Sequence, residues 1–245
     1  MVRVTVLGSG DAFGSGGRLH SAYLVEAPGC TFLLECGPSV LQGLKRADVD
    51  TERVDFVLLS HLHGDHFGGI PFLLLEYRYE NPRTRPIEIL GPPQTEHRCS
   101  KLYDALYERI AHETPPHPIR YRELTPSVPV TVHGVTIAPF VVPHAAELTC
   151  FGYRIGVGGR TILFSGDTAW TEELVPASQG VDLFLLECTT YETQLDLHLS
   201  YPEIARRVGD FGCRRLLLTH LGSEPLAHAG ELTIECARDG QVIEL

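Results

Sequence analysis

The chain has 245 residues with 43% hydrophobic content, enough to bury a sizeable core, and a formal net charge of −11. That acidic balance argues against a broad nucleic-acid footprint. It leaves as a candidate basic mouth only two local clusters: Arg78, Arg83 and Arg85, and Arg206, Arg207, Arg214 and Arg215. No apolar run approaches the roughly 18 residues of a membrane helix, MVRVTVLGSG lacks signal-peptide regions, and the seven cysteines include no CxxC pair. The expectation is therefore a cytoplasmic protein with reduced thiols, no membrane partner and one domain over residues 1–245.

Taken in chain order, the segments VRVTVLGSGD, TFLLECG, DFVLLSH, TILFSGD, DLFLLEC and RLLLTH share one shape, an apolar run of strand length ending at a polar residue. Such runs suit strands buried on both faces with function gathered at their carboxyl ends. Between them, TEHRCSKLYDALYERI spaces Leu102, Leu106 and Ile110 as one helix face, and SYPEIARRV offers Ser200 and Glu203 as a capping box. Hairpins are expected at His133-Gly134 and Gly158-Gly159, so the sheets should be mixed. DFVLLSHLH echoes RRLLLTHL, and LLECGP echoes LLECTT, which suggests two related halves. The glycine-rich GSGDAFGSGG lacks the context of a dinucleotide fingerprint and reads as a flexible loop at a site rim, where its amides and Ser21 could approach a phosphate.

The chemistry concentrates in LLSHLHGDHFGGI, where His61, His63, Asp65 and His66 follow an apolar strand. Four donors so close together cannot all serve one tetrahedral ion, so two metals fit better. Further donors end similar runs: His144 in FVVPHAAE, Asp167 in LFSGDTAW and His220 in LLLTHLGS. The remaining histidines, His20, His97, His112, His117, His133 and His228, read as surface or turn residues.

HxHxDH, then a lone histidine, GDT and a last histidine closing a strand resemble the metallo-β-lactamase-fold hydrolase superfamily over nearly the whole chain. The resemblance implies an α/β fold, a four-layer αββα sandwich with two mixed β-sheets. It also implies two divalent metal ions, zinc in most members and manganese or iron in some. His61, His63 and His144 match the ligands of one metal, Asp65, His66 and His220 those of the other, and Asp167 the shared carboxylate. The amino-terminal block together with LLECTTYE and LHLSYPEIARRV resembles the ribonuclease Z and small phosphodiesterase branch, which implies catalytic roles for Asp65, Glu187 and His198. Glu35, in LLECG where many relatives have aspartate, is expected to support the metal loop.

Only 22 residues separate His144 from Asp167, leaving no room for the basic arm with which ribonuclease Z clamps transfer RNA. The expected reaction is cleavage of a small phosphodiester, a cyclic nucleotide or a short oligonucleotide, by a metal-bridged hydroxide with His198 as proton donor. Open alternatives are transfer RNA 3′ processing, lactone or thioester hydrolysis on the same scaffold, and a non-catalytic metal-binding protein. The branch commonly forms homodimers, and FLLLEYRY is a candidate contact.

Overall fold

Apolar runs of five to seven residues, polar only at their ends, leave most strands with no wet face, and the computed structural model, which describes residues 1–245, stacks them accordingly. The strands are β1 (Arg3–Gly8), β2 (Ala22–Ala27), β3 (Cys30–Leu34), β4 (Phe56–Leu58), β5 (Ile87–Gly91), β6 (Ile119–Glu123), β7 (Val130–Val132), β8 (Val135–Val141), β9 (Phe151–Val157), β10 (Arg160–Phe164), β11 (Leu183–Glu187), β12 (Leu216–Thr219) and β13 (Val242–Glu244). One sheet runs β13-β1-β2-β3-β4-β5-β6 and the other β12-β11-β10-β9-β8-β7. Both are mixed. β3 to β6 pair in parallel, as do β10, β11 and β12, while the rest pair antiparallel. The LLEC strands β3 and β11 each lie parallel beside the strand that carries their partner motif, β4 and β12, so the sequence echo has a structural counterpart.

Period two sorts each strand between two layers. Phe32 and Leu34 meet Phe56, Leu58, Phe151, Tyr153 and Leu185 between the sheets. Leu33 and Val57 face outward, against α1 (Val40–Arg46), α3 (Ile70–Tyr79) and α4 (Thr95–Ala111). Short α2 (Gly64–Phe67) precedes α3; on the other sheet Leu163, Phe184 and Leu186 pack on α5 (Leu174–Ser178) and α6 (Tyr201–Arg207), with α7 (Ser223–Ala227) nearby. The layers are thus αββα. None of these helices is long and apolar enough to cross a membrane, and no cysteine is paired.

Both expected hairpins form, with positive φ at His133-Gly134 and Gly158-Gly159 as a primed two-residue turn requires. Other expectations need correction. The expected α4 face forms in part: Leu102 packs against the outer core beside buried Cys99, whereas Leu106 is exposed and the helix breaks at Tyr107 (φ −139, ψ 46). Ser200 starts α6, but its hydroxyl makes no cap bond and is buried without a partner, so no capping box forms. His117 is buried against Tyr77 rather than at the surface. Ser21 is buried too, so its hydroxyl does not open onto a site.

The sheets are tied across the core by polar contacts as well as packing. The Tyr23 hydroxyl meets Thr219 of the opposite sheet, and the Tyr153 hydroxyl donates to the Leu59 carbonyl at 2.7 Å, just before the histidine loop. Tyr153→Phe strands that carbonyl in a dry interior and should cost about 1–2 kcal/mol of stability, read from urea unfolding; an unchanged midpoint would contradict this role.

Candidate metal centre

The functional side chains follow the carboxyl ends of strands. β4 leads to His61 and His63, and α2 then carries Asp65 and His66, which the sequence alone placed in a loop. His144 follows β8, Asp167 follows β10, His220 follows β12, and Glu187 ends β11. The turn presenting Asp167 requires glycine: Gly166 has φ 60, and a Cβ there would lie 2.6 Å from the Phe151 carbonyl. Glu35 and His220 adopt left-handed φ of 66° and 53° without being glycine, a cost of order 1 kcal/mol each that surrounding contacts must offset.

All seven expected ligands come together, in two groups. His63 Nδ1 lies 3.1 Å from His61 Nε2 and 3.0 Å from His144 Nε2. In the second group, His66 Nε2 and His220 Nε2 are each 3.2 Å from Asp65 Oδ2. Asp167 Oδ2 stands between the groups, 3.2 and 3.3 Å from His66 and His220 and 3.9 Å from both His61 and His144.

Counting protons decides what this cluster can hold. His144 Nδ1–H donates to the Leu197 carbonyl at 2.9 Å, so Nε2 of the neutral ring is a lone pair. The Thr189 hydroxyl donates to Glu187 Oε2 at 2.8 Å and therefore accepts from His220 Nδ1–H at 2.9 Å, so in the neutral ring His220 Nε2 is a lone pair as well. His66 is fully buried, and neither of its ring nitrogens makes a well-aligned hydrogen bond. Imidazole and carboxylate lone pairs thus face one another, which is unfavourable unless a proton or a cation stands between them. The donors, all within 4.8 Å of one another in each group, are of the kind a divalent transition metal takes, so the residues fit such an ion.

The electrostatics agree. Burial, reinforced by neighbouring imidazoles, pushes the His61 pKa well below its ordinary value and keeps the ring neutral. Burial also disfavours charge on His66 and His220, but Asp167 and Asp65 outweigh it and push both rings' pKa up, and positive charge on those rings in turn holds Asp65 and Asp167 below the usual range. Glu35, fully buried, accepts the Ser60 amide at 2.8 Å and comes within 3.4 Å of His66 Nδ1, supporting the histidine loop from beneath.

Beside the cluster, His198 Nδ1–H donates to Glu187 Oε1 at 2.8 Å, and the same carboxylate receives the Thr168 amide at 2.8 Å. Glu187 is buried, whereas the His198 side chain keeps 19% of its surface exposed. Burial disfavours charge on His198, yet Glu187 and then Asp167 outweigh it and push its pKa up to about 9. An open pocket of about 420 Å³ reaches His198 and the donors; its other lining residues are Ala12, Leu195, Asp196 and Leu197. No arginine or lysine is among them, which overturns the basic-mouth expectation. Arg83, for one, is buried with its guanidinium on the carbonyls of Glu52, Arg85 and Pro86.

A family profile described as "Beta-lactamase superfamily domain" matches residues 31–221. The uncharacterised protein Rv1339 of Mycobacterium tuberculosis (strain ATCC 25618 / H37Rv) is 36% identical over 229 residues, 90% of this chain and 81% of its own length. A ribonuclease Z of Mycolicibacterium gilvum (strain PYR-GCK) is 29% identical over 240 residues, 90% of this chain and 84% of its own. Among solved structures, the metallo-β-lactamase fold protein YhfI from Bacillus subtilis superposes with a TM-score of 0.77 at 27% identity, over all of both chains.

Residues that the sequence did not single out hold the site together. Thr189, next to a recognised motif, links Glu187 to His220, and the Leu197 carbonyl orients His144. Glu224, at the start of α7, accepts the amides of Tyr191, Glu192 and Thr193 at 2.9, 2.8 and 2.9 Å, together with the Thr193 hydroxyl. These bonds hold its pKa down to about 2, so the segment leading to His198 is pinned above the ordinary glutamate range and released as pH falls from about 4 toward 2. Glu224→Gln should speed hydrogen exchange at the 191–193 amides at neutral pH, and exchange equal to the parent protein would refute the pin.

Proposed function

The chain belongs to the metallo-β-lactamase superfamily, and on that premise we propose that it is a dinuclear metal-dependent phosphodiesterase acting on a small phosphodiester. His61, His63 and His144 would hold one divalent ion, Asp65, His66 and His220 the other, with Asp167 shared; zinc suits these donors, and manganese or iron are candidates. When bound, such ions supply Lewis-acid charge for a phosphoryl group and acidify water.

The observation that carries the phosphodiester reading is the His198–Glu187 pair at 2.8 Å beside the donor cluster. An alkoxide leaving phosphorus needs a proton, and His198, its Nδ1 committed to Glu187, has one to give from Nε2 at neutral pH. Water is the co-reactant. Its oxygen bonds phosphorus as the P–O bond to the departing alcohol breaks; one proton leaves the water for the Asp65 carboxylate, and one passes from His198 to the departing oxygen. Glu187 acts as a positioning residue, fixing the tautomer and rotamer of His198. The ribonuclease Z relative favours a second reading, processing of an RNA end. Against it, the β9–β10 hairpin takes up most of the short interval between His144 and Asp167.

Removing metal with a chelator should abolish turnover, and returning zinc or manganese should restore it. His198→Ala should lower kcat about 100-fold for a cyclic nucleotide, whose leaving group is an alkoxide, and much less for bis-p-nitrophenyl phosphate, whose leaving group needs little protonation. Equal losses on both would remove His198 as the acid. A panel in which only a lactone reacts would overturn the substrate class, and precursor transfer RNA cleaved in preference to both diesters would favour the second reading.

A further inference from the structure

Away from the cluster, α3, α4, β6 and the loop that joins α4 to β6 enclose another cavity, of about 290 Å³. α4 breaks at Tyr107, and the two residues that end it, Ile110 and Ala111, join Leu74, Tyr103, Ile119 and Tyr121 in a mostly apolar wall. The loop reads HETPPHP, and its His117 lines the same cavity. His117 is 2% exposed, yet no group of the protein hydrogen-bonds either of its ring nitrogens. A buried polar group without a partner is costly, and Pro116 and Pro118 on either side leave the backbone little freedom to turn toward one. Tyr77 does not supply it: the two rings stand nearly perpendicular at 5.6 Å, and the Tyr77 hydroxyl donates to the Thr51 carbonyl.

The charges in the wall are already engaged. Arg78, its only arginine, pairs with Glu113 at 2.5 Å and donates to the Thr114 carbonyl at 3.3 Å, while Asp104 meets His112 at 3.1 Å. Burial, with Arg83 and Arg78 behind it, holds the His117 pKa below its ordinary value, so the ring is neutral at neutral pH, with one nitrogen to donate and one to accept. An anion therefore finds no uncommitted cation, and the apolar wall disfavours drawing a cation out of water. The volume suits one ring with small substituents, and the tyrosines offer it aromatic faces and edges.

We infer that this cavity is a binding site for a small uncharged molecule, one aromatic ring packed on Tyr103 and Tyr121 with a hydroxyl group that hydrogen-bonds His117. None of the lining residues belongs to the metal cluster, so the site is separate from the reaction proposed above and does not depend on it.

The test titrates the metal-loaded protein with 4-methylphenol, toluene and 4-hydroxybenzoate, by calorimetry and by the NMR shifts of the Tyr103, His117 and Tyr121 amides. 4-Methylphenol should saturate one site with a Kd of about 1 mM or tighter, ahead of toluene, with 4-hydroxybenzoate weakest. His117→Phe keeps a ring of similar shape and removes the unpaired nitrogens; it should fold at least as stably as the parent and lose the preference for 4-methylphenol over toluene, about fivefold. Ala111→Trp should fill the cavity and stop both from binding. Absence of saturable 4-methylphenol binding to the parent, or a preference that His117→Phe leaves unchanged, overturns the inference. So does a dimer, seen by light scattering, that Ala111→Trp dissociates, since the cavity would then belong to a side chain of a second copy.

Discussion

Lone pairs that cannot face one another unaided are the constraint around which this molecule is arranged. Imidazole nitrogens of His61, His63 and His144 converge at 3.0–3.1 Å, and two carboxylates press on His66 and His220 at 3.2–3.3 Å. In a buried place that is costly unless positive charge stands among them. The rest of the fold can be understood as what holds the convergence in place. Two sheets share one apolar core, their strand ends deliver donors to a common side, Thr189 and the Leu197 carbonyl fix the His220 and His144 rings, and Glu35 holds the Ser60 amide beneath the histidine loop.

A division of labour follows from where the donors come from. The cluster residues follow strand ends of the sandwich, with Asp65 and His66 carried on short α2 behind β4, so the cluster inherits the rigidity of the sheets. The rest of the pocket lining, Ala12 and Leu195 to His198, sits instead on two connecting segments, Asp11 to Ser15 and Tyr191 to His198, each pinned by one carboxylate, Asp11 and Glu224 respectively. Change in those segments can alter what is bound without disturbing the cluster. This is also why the cluster points to a superfamily and says little about a substrate.

The residues of the cluster were legible in the sequence because imidazoles and carboxylates at the ends of apolar strands have no packing reason to be there. The two hairpins were legible because His133-Gly134 and Gly158-Gly159 can adopt the positive φ that such turns need. What the sequence hid depends on tertiary approach. Arg83 looks like a surface cation in a string of arginines, yet its guanidinium is satisfied by three backbone carbonyls that only the fold brings near. Ser200 and Glu203 have the spacing of a capping box, but the buried Ser200 hydroxyl makes no cap bond. Glu224 had no local signature, since three amides over 30 residues away in the chain define its role.

The central claim is that the cluster holds two metal ions joined by Asp167. Elemental analysis of the zinc-reconstituted, desalted protein tests it most directly. The account predicts two zinc ions per chain, with loss of occupancy at both sites in Asp167→Ala. A chain that retains no metal, or one whose zinc content Asp167→Ala leaves unchanged, would contradict it.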